Sequence, residues 1–277
     1  MERRIPLIFC IDVEPDDHVY PPEDPSPWKG FEVLAAESVG LRARLSALTG
    51  EPARLTWSLR LDPQIAEAYG DPAWIIDHHR AFFEEARGRG DAVGVHPHAW
   101  RWDRDRRVWI SDHADAAWVD RCIEMSFETY RSRFGEAPSH HRFGGRFVSE
   151  GVLAAVGRLG GRFDLTLEPG EPGTKPGERD GGIWAGETPD FKEVPRIPYH
   201  PDPADFRRPA RDGVGGLWTI PLSSGRFVPK RREDRQLRMA DRLSHPARTA
   251  RGVVRRLDRA RRPAGGDRRP PYSPLAM

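Results

Sequence analysis

The sequence predicts an α/β fold in which a parallel sheet is covered by helices. Three observations lead there. Short runs of strand character recur along the chain, the first of them ending at a carboxylate. Longer stretches with helical spacing lie between them, and several are followed by glycine as a stop signal. The two kinds alternate in order, as strand–helix–strand units do.

Residues 5–12 (IPLIFCID) form the first predicted strand. Phe31, Leu34, Leu41, Leu45 and Leu48 then recur at helical spacing over 31–49, and Gly50 follows. Residues 54–61 alternate as a strand does. Residues 73–87 read as a helix closed by Gly88 and Gly90, and 91–98 (DAVGVHPH) as the third strand. The clearest amphipathic helix spans 115–134 and stops at Gly135. A short strand at 139–143, a helix at 149–160 and a strand at 162–167 follow. Residues 168–190 are rich in Gly, Pro and charge and read as a long loop. A strand at 216–223 closes the α/β part. Residues 231–262 are helical by composition, interrupted at Pro246. This divides the chain into an α/β domain at 1–225 and a basic helical extension at 226–277.

Composition narrows the function. Hydrophobic residues make up 38% of the 277, yet 9 Trp and 12 Phe give enough bulk for a core. No run of about 18 apolar residues is present, so no membrane span is expected. The N-terminal apolar run is short and ends in Asp12 and Glu14, unlike a signal peptide, so the expected location is cytoplasmic. Cys10 and Cys122 have neither metal-ligand spacing nor a disulfide framework. Between Lys230 and Arg269 there are 15 Lys/Arg and 5 Asp/Glu, while the whole chain carries only +2. The rest is therefore net acidic. The basic segment is a candidate for peripheral contact with an anionic membrane, although a solvated helix is its plainer reading. No nucleic-acid partner is expected.

In parallel α/β architectures, active sites lie at the C-terminal ends of the strands. The first strand ends in Asp12-Val13-Glu14, the third in His96-Pro97-His98, and the fourth runs into His140, His141 and Arg142. Side chains at i and i+2 of an extended chain face the same way. Asp12 and Glu14 can thus share one cavity with His96 and His98. Two imidazoles and a carboxylate make a zinc site with an open position for water, and a second carboxylate beside it suits a general base. Two solvated loop acids are the plainer reading of the first pair, and a structural role that of the second.

The order and context of these segments resemble the NodB-type polysaccharide deacetylases. IFCIDVEPDD resembles that family's first motif, DAVGVHPHAW its second and HHRFGGRFVSEGVLAAVGRLGGRFDLTLEPG its third. RIPYHPDPADFRRP and GLWTIPLSSG are similar to segments that follow, so the resemblance covers roughly residues 5–225. It implies a distorted or incomplete (β/α) barrel and a divalent metal, zinc, that serves removal of acetyl groups from a glycan or another acetylated sugar. It implies Asp12 as the base, Glu14 and His96 as metal ligands, and Arg142 as the arginine that orients Asp12. Arg146, in the same third segment, is a candidate for holding substrate.

This sequence departs from the family pattern in three places. Trp100 stands where the second metal histidine is usual, which leaves His98 as the candidate ligand. Glu14 stands where Asp is usual, with Asp16 and Asp17 as alternatives. No residue clearly matches the late histidine that protonates the leaving amine; His200 and His245 are candidates by elimination. Trp100 and Trp102, directly after the histidines, are candidates for stacking on sugar rings. The alternatives are a metal-independent amide hydrolase of a small substrate and an inactive relative that binds a glycan.

Overall fold

The computed structural model describes residues 8–175, 183–211 and 216–222. The chain divides into a unit over residues 1–224 and another over 225–277. The second unit lies outside the described residues, and with it the expected basic helix, His245 and the segment considered for membrane contact. Among the described residues, no helix is long and apolar enough to cross a membrane.

Six strands form one parallel sheet. They are β1 (Cys10–Val13), β2 (Thr56–Leu59), β3 (Ala92–Val95), β6 (His140–His141), β7 (Phe163–Asp164) and β11 (Trp218–Thr219). Each pairs with the next in chain order, so the sheet is wound in one direction, and β1 and β11 are its edges among the described residues. The register aligns Asp12 with Ser58 and Ser58 with Gly94. One row further on it aligns Val95 with His141 and His141 with Asp164.

Strand alternation gives the sheet two unlike faces. Val13, Trp57, Leu59, Val93 and Val95 are buried in the main core, against helices α1 (Lys29–Thr49), α4 (Arg80–Gly88), α5 (Ala116–Phe134) and α6 (Glu150–Arg158). Cys10, Asp12, Ser58, Gly94 and His140 occupy the other face. There the Ser58 hydroxyl lies 3.6 Å from Cys10 Sγ and 3.2 Å from His140 Nε2. Gly94 allows this packing, since a Cβ there would fall 2.4 Å from the His140 carbonyl and 2.5 Å from its ring. The His140 imidazole is pushed down to about 4 by burial and by neighbouring His141, so it is neutral.

Local chemistry sets most boundaries. Asp115 and Ser149 cap α5 and α6 by accepting from Trp118 N and Val152 N. Gly50 and Gly135 end α1 and α5 in the left-handed conformation, as their sequence positions predict. Two expectations need correction. The helix expected at 73–87 breaks at His79 into α3 (Trp74–His78) and α4, and a further helix, α2 (Pro63–Tyr69), precedes it. Asp62 caps α2 and Pro63 takes its first position.

The segment after His98 received no element from the sequence pattern. It forms a hairpin of β4 (Trp100–Asp103) and β5 (Val108–Asp112), to which β8 (Trp184–Ala185) adds in parallel from within the expected 168–190 loop. A second hairpin, β9 (Pro201–Asp202) with β10 (Asp205–Pro209), precedes β11.

Candidate metal centre at the strand ends

Residues leaving β1, β2, β3 and β6 converge. Backbone hydrogen bonds carry the pairing past the strands, with His96 N donating to Leu59 O at 2.7 Å and Arg142 N to Val95 O at 3.0 Å. Both strand-end pairs therefore stay extended, and their side chains meet. His96 Nε2 lies 3.0 Å from His98 Nε2 and 3.6 Å from Glu14 Oε1. His98 Nε2 is 3.2 Å from Glu14 Oε2, and Asp12 Oδ2 is 3.9 Å from His96 Nε2.

Two details suit this cluster to a metal ion. His96 Nδ1 donates to the Arg142 carbonyl at 2.7 Å. That bond puts the proton on Nδ1 and leaves the Nε2 lone pair facing its neighbours, as metal-binding histidines are arranged. A cation about 2.0–2.1 Å from each nitrogen would hold a tetrahedral pair of them roughly 3.3 Å apart, close to the separation found. Burial would raise the Glu14 carboxyl, but His98 and His96 outweigh it and hold it well below the usual range. Burial and Arg60 push the His98 imidazole well below its ordinary value. Burial would lower the His96 imidazole, but Asp12 and Glu14 outweigh it and hold it above its ordinary value.

Arg142 presents Asp12. Its Nε donates to Asp12 Oδ2 at 3.0 Å, while Nη1 holds Leu165 O and Nη2 holds Glu168 Oε1, both at 2.9 Å. The other oxygen, Asp12 Oδ1, is buried without a hydrogen-bond partner. Such an orphaned acceptor fits a site built to receive a further group.

Arg60, at the end of β2, is fully buried. Its Nε meets Asp62 Oδ2 at 2.5 Å, its Nη2 meets Gln64 Oε1 at 2.6 Å, and its Nη1 lies 3.4 Å from Glu14 Oε2. Asp62 Oδ2 also accepts from His98 N at 3.0 Å. The β2 end thus supports both Glu14 and His98. Asp12, Glu14, Asp62 and Glu168 face Arg60 and Arg142, which leaves two formal negative charges in excess. One divalent cation would cancel them.

The remaining sequence candidates fall elsewhere. His140 and His141 do not reach the centre; His141 Nδ1 pairs with Asp164 at 2.8 Å, both groups fully buried. His200 bonds Leu217 O through Nδ1, and its ring packs on Trp218. No hydrogen bond joins it to Asp12, Glu14 or the strand-end histidines. Asp16 accepts from Gly30 N at the start of α1. Trp100 is 2% exposed and packs on Trp184, so its face is not open to solvent. Trp102 is partly exposed and packs on Trp109, and Arg146 pairs with Glu171 at 2.7 Å.

Gly144, just past β6, sets the width of the centre. A Cβ there would lie 2.0 Å from His98 Cδ2 and 2.1 Å from Nε2. Gly144→Ala is expected to push the His98 imidazole away from Glu14 and weaken metal binding by at least about tenfold, the scale of lost support around metal ligands. A zinc titration of the variant checks this, and wild-type affinity would contradict the contact.

No family model matches the sequence, and no curated protein matches it. Among solved structures, the chain is similar to a candidate polysaccharide deacetylase from Mycobacterium smegmatis. The identity is 12% and the TM-score 0.38, over 81% of this chain and 63% of that one. The chain thus spans less than two thirds of that relative's length. It is also similar to IcaB from Ammonifex degensii, with 10% identity and a TM-score of 0.31, over 67% of this chain and 91% of that one. Likenesses of this size carry no argument for function, which rests on the residues of the centre.

Proposed function

We propose that this chain is a divalent-metal-dependent hydrolase that removes acetyl groups from N-acetylated sugars of a glycan, built on an incomplete (β/α) barrel. The observation that carries this reading is the convergence of Asp12, Glu14, His96 and His98, with Arg142 bonded to Asp12. The order of the sequence motifs supports it, because Asp12, Glu14, His96 and Arg142 stand where the deacetylase resemblance calls for base, ligands and orienting arginine, with His98 in place of the usual second histidine.

Glu14, His96 and His98 would hold the metal. When bound, zinc or a similar cation supplies Lewis acidity to the acyl carbonyl. The chain's own residues do the rest. Asp12 accepts the proton of the attacking water, and Arg142 keeps the carboxylate oriented. The hydrogen bond from His96 to the Arg142 carbonyl ties ligand and base to one segment. Water adds to the acyl carbon, the C–N bond breaks as Asp12 passes the proton on to the departing nitrogen, and acetate and a free amine leave.

The test is metal content together with acetate release from an N-acetylated oligosaccharide. Wild type is expected to hold about one equivalent of metal. His96→Ala should lose both metal and turnover while melting as a folded protein. Full metal occupancy in that variant would mean the site is misassigned. Turnover without metal in the wild type would favour the metal-independent amide hydrolase. Bound metal without turnover would favour an inactive glycan-binding relative.

A further inference from the structure

We propose that His18, on the loop between β1 and α1, is a fourth protein ligand of the same cation. The inference rests on the metal-dependent reading above and adds to it a residue outside the strand-end pairs.

His18 Nδ1 lies 3.4 Å from Glu14 Oε2. Its ring stacks on His98, with centroids 5.4 Å apart and planes 24° apart. Ligand atoms of Glu14, His18 and His98 all fall within 4.8 Å of one another, as do those of Asp12, Glu14 and His96. Glu14 and the touching His96 and His98 nitrogens join the two groups.

The loop is held where this requires. Asp16 N donates to Pro27 O at 2.8 Å, and Asp17 N to Ser26 Oγ at 2.9 Å. The His18 carbonyl accepts from Gln64 Nε2 at 2.8 Å. Gln64 is fully buried and is itself fixed by Arg60. The network that supports Glu14 and His98 therefore also pins the His18 backbone. The His18 side chain is 47% exposed, so its ring can move while its backbone stays anchored.

A pair of cations bridged by Glu14 is the competing arrangement, and the charge of the centre decides against it. Metals in such pairs sit about 3.5–4 Å apart, each with its own ligands. The two formal negative charges in excess at the centre match a single divalent cation. With Glu14, His18, His96 and His98 all bound, no position is open for water, as in closed zinc sites. Turnover then requires His18 to leave, which its exposed side chain permits.

The experiment uses full-length protein and zinc alone as the probe. Affinity is measured by competition with a chelator, and the number of imidazoles on zinc by X-ray absorption, for wild type, His18→Ala and His96→Ala. Wild type is expected to show three imidazoles. His18→Ala should show two and bind zinc at least about tenfold more weakly, with unchanged melting of the metal-free protein. Wild-type affinity and imidazole count in His18→Ala would overturn the inference, even if turnover fell. Loss of zinc from His96→Ala in the same series would then leave the metal-dependent reading standing. A wild type that binds no zinc would instead overturn that reading and the inference with it.

Discussion

Asp12→Asn is expected to lower acetate release by about 100- to 10,000-fold, the usual contribution of a general base, while zinc stays bound. The amide matches the carboxylate in shape, so Arg142 Nε still finds an oxygen where Asp12 Oδ2 was, at 3.0 Å. The proton acceptor is lost. Metal retention follows from the geometry: Asp12 Oδ2 is 3.9 Å from the nearest histidine nitrogen, whereas Glu14 lies within 3.2 Å of His98. Arg142→Ala should mimic the defect more weakly, because it leaves the base in place but removes its guide. Steady-state kinetics and metal analysis on the same preparations separate the roles. Near-wild-type turnover in Asp12→Asn would remove Asp12 as base. Loss of zinc would make it a ligand instead.

The chemistry of the centre was partly legible in the sequence because extended chain has a period of two. Asp12 with Glu14 and His96 with His98 could be placed on one side each without knowing the fold, and Arg142 followed from motif order. Arg60 and Asp62 carry the same signal, an i, i+2 charged pair at a strand end followed by Pro63, but the alternation of 54–61 absorbed Arg60 into a plain strand and left Asp62 just beyond it. His18 gave no clear sign by spacing; bonds from its loop to Pro27 and Ser26, and from Gln64, 46 residues away, to its carbonyl, bring it to the centre. His200 was chosen by elimination, and packing places it against Trp218 instead.

The fold shows the same division. Strand–helix alternation predicted the parallel sheet. The β4–β5 hairpin was hidden because its turn lacks glycine: Arg107 takes the left-handed conformation at φ 50°. The period-two pattern of Trp100, Trp102, Val108 and Ile110 was the available signal, and it was outweighed by the charges between them. The break at His79 left no mark, since the residues around it all tolerate a helix.

Arg60→Leu is expected to destabilise the metal-free protein by about 3–5 kcal/mol, the cost of leaving one partner of a buried ion pair alone. Arg60 and Asp62 are both fully buried. Without the guanidinium, Asp62 keeps only the Gln64 and His98 backbone donors, and Glu14 loses the cation 3.4 Å from its Oε2. Burial alone would ease Arg60 towards deprotonation, but Asp62 and Glu14 reverse that, so the charge is part of the fold. Arg60→Lys should recover little, because an ammonium cannot meet Asp62 and Gln64 together in the fork geometry. At roughly 2–4 °C per kcal/mol, the melting temperature should fall by about 10 °C. Zinc at about 100 times its dissociation constant adds about 2.7 kcal/mol to whichever protein binds it. That is less than the loss, so zinc-loaded Arg60→Leu should still melt no higher than metal-free wild type. Removing both partners, in Arg60→Leu/Asp62→Leu, should regain part of the stability by eliminating the stranded charge, yet zinc binding should stay weak because His98 N loses its acceptor. If Arg60→Leu melted like wild type and bound zinc normally, the β2 end would not be what holds Glu14 and His98 in place.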